Sequence, residues 1–167
     1  MDNVDNDNKH KLNDTWTLWY HLPNDTNWEM DSYKIIDNVS YVEDGIVLNN
    51  EIGDLLSKCM FFVMRKDIKP FWEFEKNRNG GSFSYKVNND IVVEVWEKIF
   101  YLLIGESLSE NKNFVQSING ITISPKKMYS IIKIWMSSCE YKDSSILKKI
   151  DLLNNQVCIF KQHKPEY

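Results

Sequence analysis

The run from Trp16 to His21 reads Trp-Thr-Leu-Trp-Tyr-His, so that Trp16, Leu18 and Tyr20 alternate with Thr17, Trp19 and His21. A period of two is the mark of a β-strand, in which successive side chains point to opposite faces. Similar runs recur at 33–39, 58–64, 82–87, 118–124, 130–137 and 156–162, and Gly80-Gly81 reads as the turn leading into the fourth of the seven. Three stretches switch to helical spacing. Ser40 with Glu43 has the form of a capping box, followed by Val42, Ile46, Ile52 and Leu55/Leu56. Asp90 can cap a second helix with an apolar stripe of Val92, Val95/Trp96, Ile99 and Leu102/Leu103, closing near Gly105. Asp143 or Ser144 can start a third, with Ile146/Leu147, Ile150 and Leu153 inward and Lys148-Lys149 outward. An antiparallel sheet with helices packed on one face, an α+β fold, accommodates this order of elements.

A chain of 167 residues fits one domain with room for a hydrophobic core. Residues 1–14 are rich in Asp and Asn and nearly free of apolar side chains, so a flexible tail is expected there, with a single domain over 15–167. The net charge of -4 argues against a sequence-blind polyanion binder, which needs a basic surface, but leaves room for a small nucleotide site with local lysines. Cys59, Cys139 and Cys158 form no Cys-x-x-Cys pair, and His10, His21 and His163 are scattered, so no metal-ligand spacing arises. Unpaired cysteines fit a reduced intracellular compartment. No apolar run reaches the roughly 20 residues of a membrane span, and no signal-peptide pattern opens the chain. The abundance of Asn, Lys and Ile suggests an AT-rich genome, such as that of a protist or a large DNA virus.

The chemistry-bearing residues are Trp28, Trp72 with Glu73 beside it, and Trp135. Two flat rings can sandwich a base, and an adjacent carboxylate can accept from an N–H pair on its edge. A purine with a positive ring satisfies all these groups at once. Cation–π attraction at a desolvated contact is worth about 2 kcal/mol, and base-on-aromatic stacking roughly 1–3 kcal/mol per base. The carboxylate also discriminates, because adenine would leave it unpaired. Without further context, a tryptophan more often fills a core than carries a ligand.

Further motifs supply that context. In order they are Trp16-Thr-Leu-Trp19, Trp28, Val42-Glu43-Asp44, Lys69-Pro-Phe-Trp-Glu73, Glu75-Lys-Asn-Arg-Asn-Gly-Gly81, Trp96, Leu103-Ile-Gly-Glu106, Ile134-Trp135 and Cys139-Glu140. In order and spacing this set resembles the eukaryotic translation initiation factor 4E family, the messenger-RNA cap-binding proteins, from about Trp16 to His163. The resemblance implies a curved antiparallel sheet of seven or eight strands, three helices on its convex face and a cap slot on the concave side. It implies that Trp28 and Trp72 sandwich 7-methylguanine and that Glu73 accepts from its N1–H and amine. Trp135 would contact the added methyl group. Trp16, Trp19 and Trp96 are assigned mainly to packing.

The chain departs from the family pattern where phosphates are expected. Lys126 stands at the arginine position, Ile131 at the lysine position, and Ser82 where relatives carry an arginine after the double glycine. Alternation puts Ile131, Lys133 and Trp135 on one face, so Lys133 could supply the missing charge, with Lys127 a third candidate. The alternative is that these are solvated surface lysines. The back surface departs as well. Family members hold a scaffold factor of the 4G type, and repressors that mimic it, on a convex helical surface. Here Val42 and Trp96 remain, Ile46 replaces a tryptophan, and Glu97-Lys98 replaces a leucine-glutamate pair. Weakened binding to the usual Tyr-x-x-x-x-Leu helix is expected, with a cognate variant partner still possible. The chain ends soon after Gln162-His163, where relatives carry a longer loop toward nucleotides after the cap, and segment 110–116 is a candidate to shape that region.

The function expected is a monomeric, cytoplasmic cap-binding translation factor, in the host cytoplasm if viral. The alternative is a cap-binding competitor that does not recruit the scaffold. Catalysis is not expected: no Gly-rich cofactor loop, clustered histidines or nucleophile accompanies Glu73 and Glu75. No cofactor or metal is called for.

Overall fold

The computed structural model describes residues 8–153 and 158–165. Its strands are β1 (Lys11–His21), β2 (Lys34–Tyr41), β3 (Met60–Arg65), β4 (Gly81–Asn88), β5 (Ile118–Pro125), β6 (Tyr129–Met136) and β7 (Cys158–Gln162). Helices α1 (Val42–Ile52), α2 (Val92–Ile104) and α3 (Lys112–Ser117) interrupt them. The strands pair into one curved antiparallel sheet in the order β2-β1-β3-β5-β6-β4-β7.

Register explains what each face does. One cross-strand row runs Leu18, Val63, Ile121, Ile134, Phe83, Phe160. It belongs to the main core, together with Val95, Trp96, Ile99 and Leu103 of α2. The adjacent row runs Trp19, Phe62, Thr122, Lys133, Ser84, Ile159 and faces the other way. A strand alternates, so a continuous apolar row on the helix-covered side forces a mixed aromatic and polar row on the open side. The open side therefore carries the chemistry.

Several local expectations are corrected. β1 begins at Lys11, within the stretch expected to be a tail, because Val42 N–H donates to His10 O (2.9 Å) and Lys9 Nζ meets Asp44 at 2.8 Å. Residues 1–7 lie outside the described residues, as do 156 and 157 of the last expected strand. The Ser40–Glu43 capping box does not form. The α1 N-cap is Tyr41, without a side-chain cap, while Ser40 Oγ bonds Thr15 Oγ1 and Glu43 binds His10. Asp90 is likewise not the cap of α2, whose N-cap is Ile91. The helix expected from Asp143 or Ser144 is only a 3-10 turn, Ser144–Ile146, with another at Asp151–Leu153. Asp143 does accept from Ser145 N–H, but the Lys148 N–H turns away to Leu108 O and breaks the helix before a second turn. Leu147, Ile150 and Leu153 are buried nonetheless. The third helix is α3, capped by Asn111 accepting from Phe114 N–H. Phe114 sits in the main core, which anchors segment 110–116 behind the sheet.

Candidate functional site

On the open face a second apolar cluster forms from Trp19, Tyr33, Phe62, Met64, Ile68 and Trp135, with Phe71 and Trp72 packed against it. Above it lies a cavity of about 760 Å³ whose lining includes Trp28, Trp72, Glu73, Lys133 and Trp135. The structure thus brings all four expected base-contacting residues, and one of the three expected phosphate lysines, to one cavity.

Trp28 is 54 % exposed and its ring lies flat on His21, with centroids 4.0 Å apart and planes 3° from parallel. His21 is fully buried, and its ring nitrogens meet Leu22 O (3.0 Å) and Asn27 O (2.7 Å), so one side chain both backs the indole and closes the loop that carries it. Asp25 accepts from Asn27 N–H, and Asn27 accepts from Glu29 N–H, which adds local turns on either side of Trp28.

Trp72 is half-buried and stacked on His163, with centroids 5.2 Å apart and planes 15° from parallel. His163 Nδ1–H donates to Asn77 O at 2.7 Å, and Nε2 accepts from the Ser82 hydroxyl at 2.6 Å. Ser82 thus holds the histidine ring. Burial is the main cause that lowers the His163 pKa, and Lys133 pushes it further the same way, against the Asn77 hydrogen bond. Asn77 is a hub: its amide donates to Lys69 O and Phe71 O, and its Oδ1 accepts from Asn119. Gly80 is required nearby, since a Cβ there would lie 1.7 Å from Met136 O.

Trp135 is only 5 % exposed and forms the cavity floor, its indole N–H donating to Thr122 Oγ1 at 3.3 Å. Tyr33 has its pKa raised to about 12, first by burial and then by Glu73, which places the carboxylate's field within the cavity. On the wall, Lys133 Nζ lies 5.4 Å from the Trp72 ring centroid. The Lys133 pKa is lowered, first by burial and then by Lys161 and Lys126. Lys161 and Lys126 thus lie near enough to Lys133 to repel its charge. Lys126 opens the β5–β6 connection and Lys127 follows it; both are exposed and neither lines the cavity.

The family model of eukaryotic initiation factor 4E matches residues 11–167. The chain belongs to that family. It is 34% identical over 145 residues to initiation factor 4E of Eremothecium gossypii, covering 82% of this chain and 67% of that protein. With the Candida albicans factor it shares 31% identity over 163 residues, covering 89% of this chain and 76% of that protein. In fold it is similar to C. elegans eIF4E-3, solved in complex with the 4E-binding protein Mextli and a cap analog, with a TM-score of 0.69 and 27% identity over 78% of this chain and 76% of that one.

On the convex side of this family fold, Ile46 of α1 is 41 % exposed and Val42 is half-buried. Trp96 is fully buried, so it shapes that surface only from beneath. Glu97 accepts from Asn49 Nδ2 at 3.3 Å, tying α2 to α1, and Lys98 is exposed.

Four residues escaped the linear reading: His21, His163, Asn77 and Lys161. The histidines looked scattered because their stacking partners lie in other segments. Lys161 reaches this face because β7 pairs it with Ser82, itself opposite Trp135. The usable signal was the parity of Lys161 along its strand, once the neighbouring strand is known.

Proposed function

We propose that this chain binds the 7-methylguanosine cap of messenger RNA and supports cap-dependent initiation of translation. The observation that carries this reading is the grouping of Trp28, Trp72 and Glu73 around one cavity of about 760 Å³. The relatives named above are initiation factors, and one structural neighbour holds a cap analog. In this reading Trp28 and Trp72 take the two faces of the base. Glu73 accepts from N1–H and the exocyclic amine, the Trp72 backbone N–H donates to O6, and Trp135 meets the methyl group from the floor. Lys133 takes the first phosphate from the wall, while Lys126 and Lys161 take those beyond it. Of these lysines Lys133 alone lines the cavity, and Lys127 is the weakest candidate because Lys126 and Lys161, but not Lys127, act on the Lys133 charge. A carboxylate, indoles and lysines of this kind suit binding, and the family is one of factors rather than enzymes.

Quenching of tryptophan fluorescence by 7-methyl-GTP and by GTP tests the reading. The methylated nucleotide should bind at least about ten-fold more tightly, as expected if cation–π attraction contributes more than about 1.4 kcal/mol. Equal affinity for the two would sink it. Lys133→Ala should weaken 7-methyl-GTP more than Lys127→Ala does.

A second reading is favoured by the back surface. With Ile46 in place of a tryptophan, Glu97 held by Asn49 and Lys98 exposed, the chain would act as a cap-binding competitor that recruits a scaffold of the 4G type weakly or not at all. Aromatic anchors commonly contribute about 2 kcal/mol or more at an interface, and a reversed charge disfavours the old partner. Affinity for a Tyr-x-x-x-x-Leu peptide should rise clearly in Ile46→Trp. Submicromolar binding by the unaltered chain, with little gain from Ile46→Trp, would remove this second reading. A cytoplasmic site of action follows from either role.

A further inference from the structure

We infer that the far end of the open face is a second base site, which takes the nucleotide following the cap; the inference rests on the cap reading above. On β6, Trp135, Lys133, Ile131 and Tyr129 alternate onto that face, and on β4 Lys86 is paired with Ile131 and Asn88 with Tyr129. Lys86, Asn88, Met128 and Tyr129 line a separate cavity of about 420 Å³. Along the strand the order is therefore indole, cation, aliphatic, phenol. From Trp135 to Tyr129 a strand rises roughly 20 Å, with Lys133 about a third of the way. A base, its phosphates and a second nucleoside follow the same order.

The chemistry at the far end suits a nucleobase. Lys86 Nζ lies 4.2 Å from the Tyr129 ring centroid, so a cation and a π-face are presented together. Unstacked bases are recognised by just such aromatic faces, with adjacent charge drawn to phosphate. Met128, 73 % exposed beside the ring, is a flexible thioether able to cover the outer face of a base. The platform is braced. Tyr129 O accepts from Lys126 N–H at 2.7 Å, and Ser130 Oγ donates to Asn89 Oδ1 at 2.9 Å. Asn88 Oδ1 accepts from Asp90 N–H, and its amide nitrogen is the group suited to a base edge.

The test compares the cap dinucleotide 7-methyl-GpppA with the same compound bearing an abasic second ribose, so that charge is equal. The unaltered chain should bind the dinucleotide roughly five-fold or more tightly than the abasic compound. Tyr129→Ala should abolish that difference while leaving 7-methyl-GTP affinity unchanged, and Tyr129→Phe should keep it. Lys86→Ser, at an exposed position, should shrink the difference and serves if Tyr129→Ala does not fold. Equal binding of the two compounds by the unaltered chain would overturn the inference, and so would a difference that survives Tyr129→Ala. Failure to bind 7-methyl-GTP at all would instead overturn the cap reading, and this inference with it.

Discussion

Trp28 and Trp72 are the same device built to different stiffness. Each is an indole on a loop, laid against a buried histidine. Behind Trp72, however, His163 is locked by Ser82 and Asn77, and Asn77 in turn ties Lys69, Phe71 and Asn119. Behind Trp28, His21 spans a loop otherwise held by short-range, exposed hydrogen bonds of Asp25 and Asn27, and the indole remains 54 % exposed. Buried, fully satisfied polar networks rigidify what they hold. In the proposed sandwich Trp72 would thus be the preorganised wall and Trp28 the less firmly held one.

Substitution should separate the two indoles. Trp72→Ala should weaken 7-methyl-GTP by two orders of magnitude or more, since stacking and cation–π attraction together are worth about 3 kcal/mol. Trp28→Ala should cost less, nearer one order of magnitude, and the reverse ranking in a titration would refute the stiffness argument. Next in size is Asn77→Ala. It leaves Lys69 O, Phe71 O and the Asn119 amide short of partners, and each buried unsatisfied group costs about 1–3 kcal/mol. Denaturant unfolding should show a loss of at least about 2 kcal/mol. Asp25→Ala in the Trp28 loop, where the bond is exposed, should stay below about 1 kcal/mol.

The smallest effect concerns pH. His163 has a folded pKa below the ordinary 6.5, chiefly through burial, so the unfolded chain binds the proton more readily. Its contribution to stability is present above pH 6.5 and is lost as pH falls through that value toward the folded pKa. An unfolding series between pH 7.5 and 5 should show a decline that His163→Phe reduces. An unchanged slope in that variant would separate the Trp72 wall from His163 titration.

The same contrast explains what was legible beforehand. Alternation in Trp16–His21 and in the later runs identified the sheet, because a strand's faces follow from its own sequence. The apolar stripe of α2 was equally plain. The segment after Asp143 was not, because its burial is achieved through two 3-10 turns and a hydrogen bond to Leu108 rather than by helical repetition. Trp28, Trp72, Glu73 and Trp135 stood out through their neighbours in the chain. Their supports did not: His21 and His163 take their roles from loops and strands far away in sequence. Lys161 became visible only through its pairing with β4.

A crystal structure of the chain with bound 7-methyl-GTP addresses the sandwich most directly. The purine should lie between the Trp28 and Trp72 rings, its donor edge on Glu73 and its first phosphate near Lys133. A nucleotide bound with its base outside that pair of rings, or with Glu73 turned away from it, would rule the sandwich out.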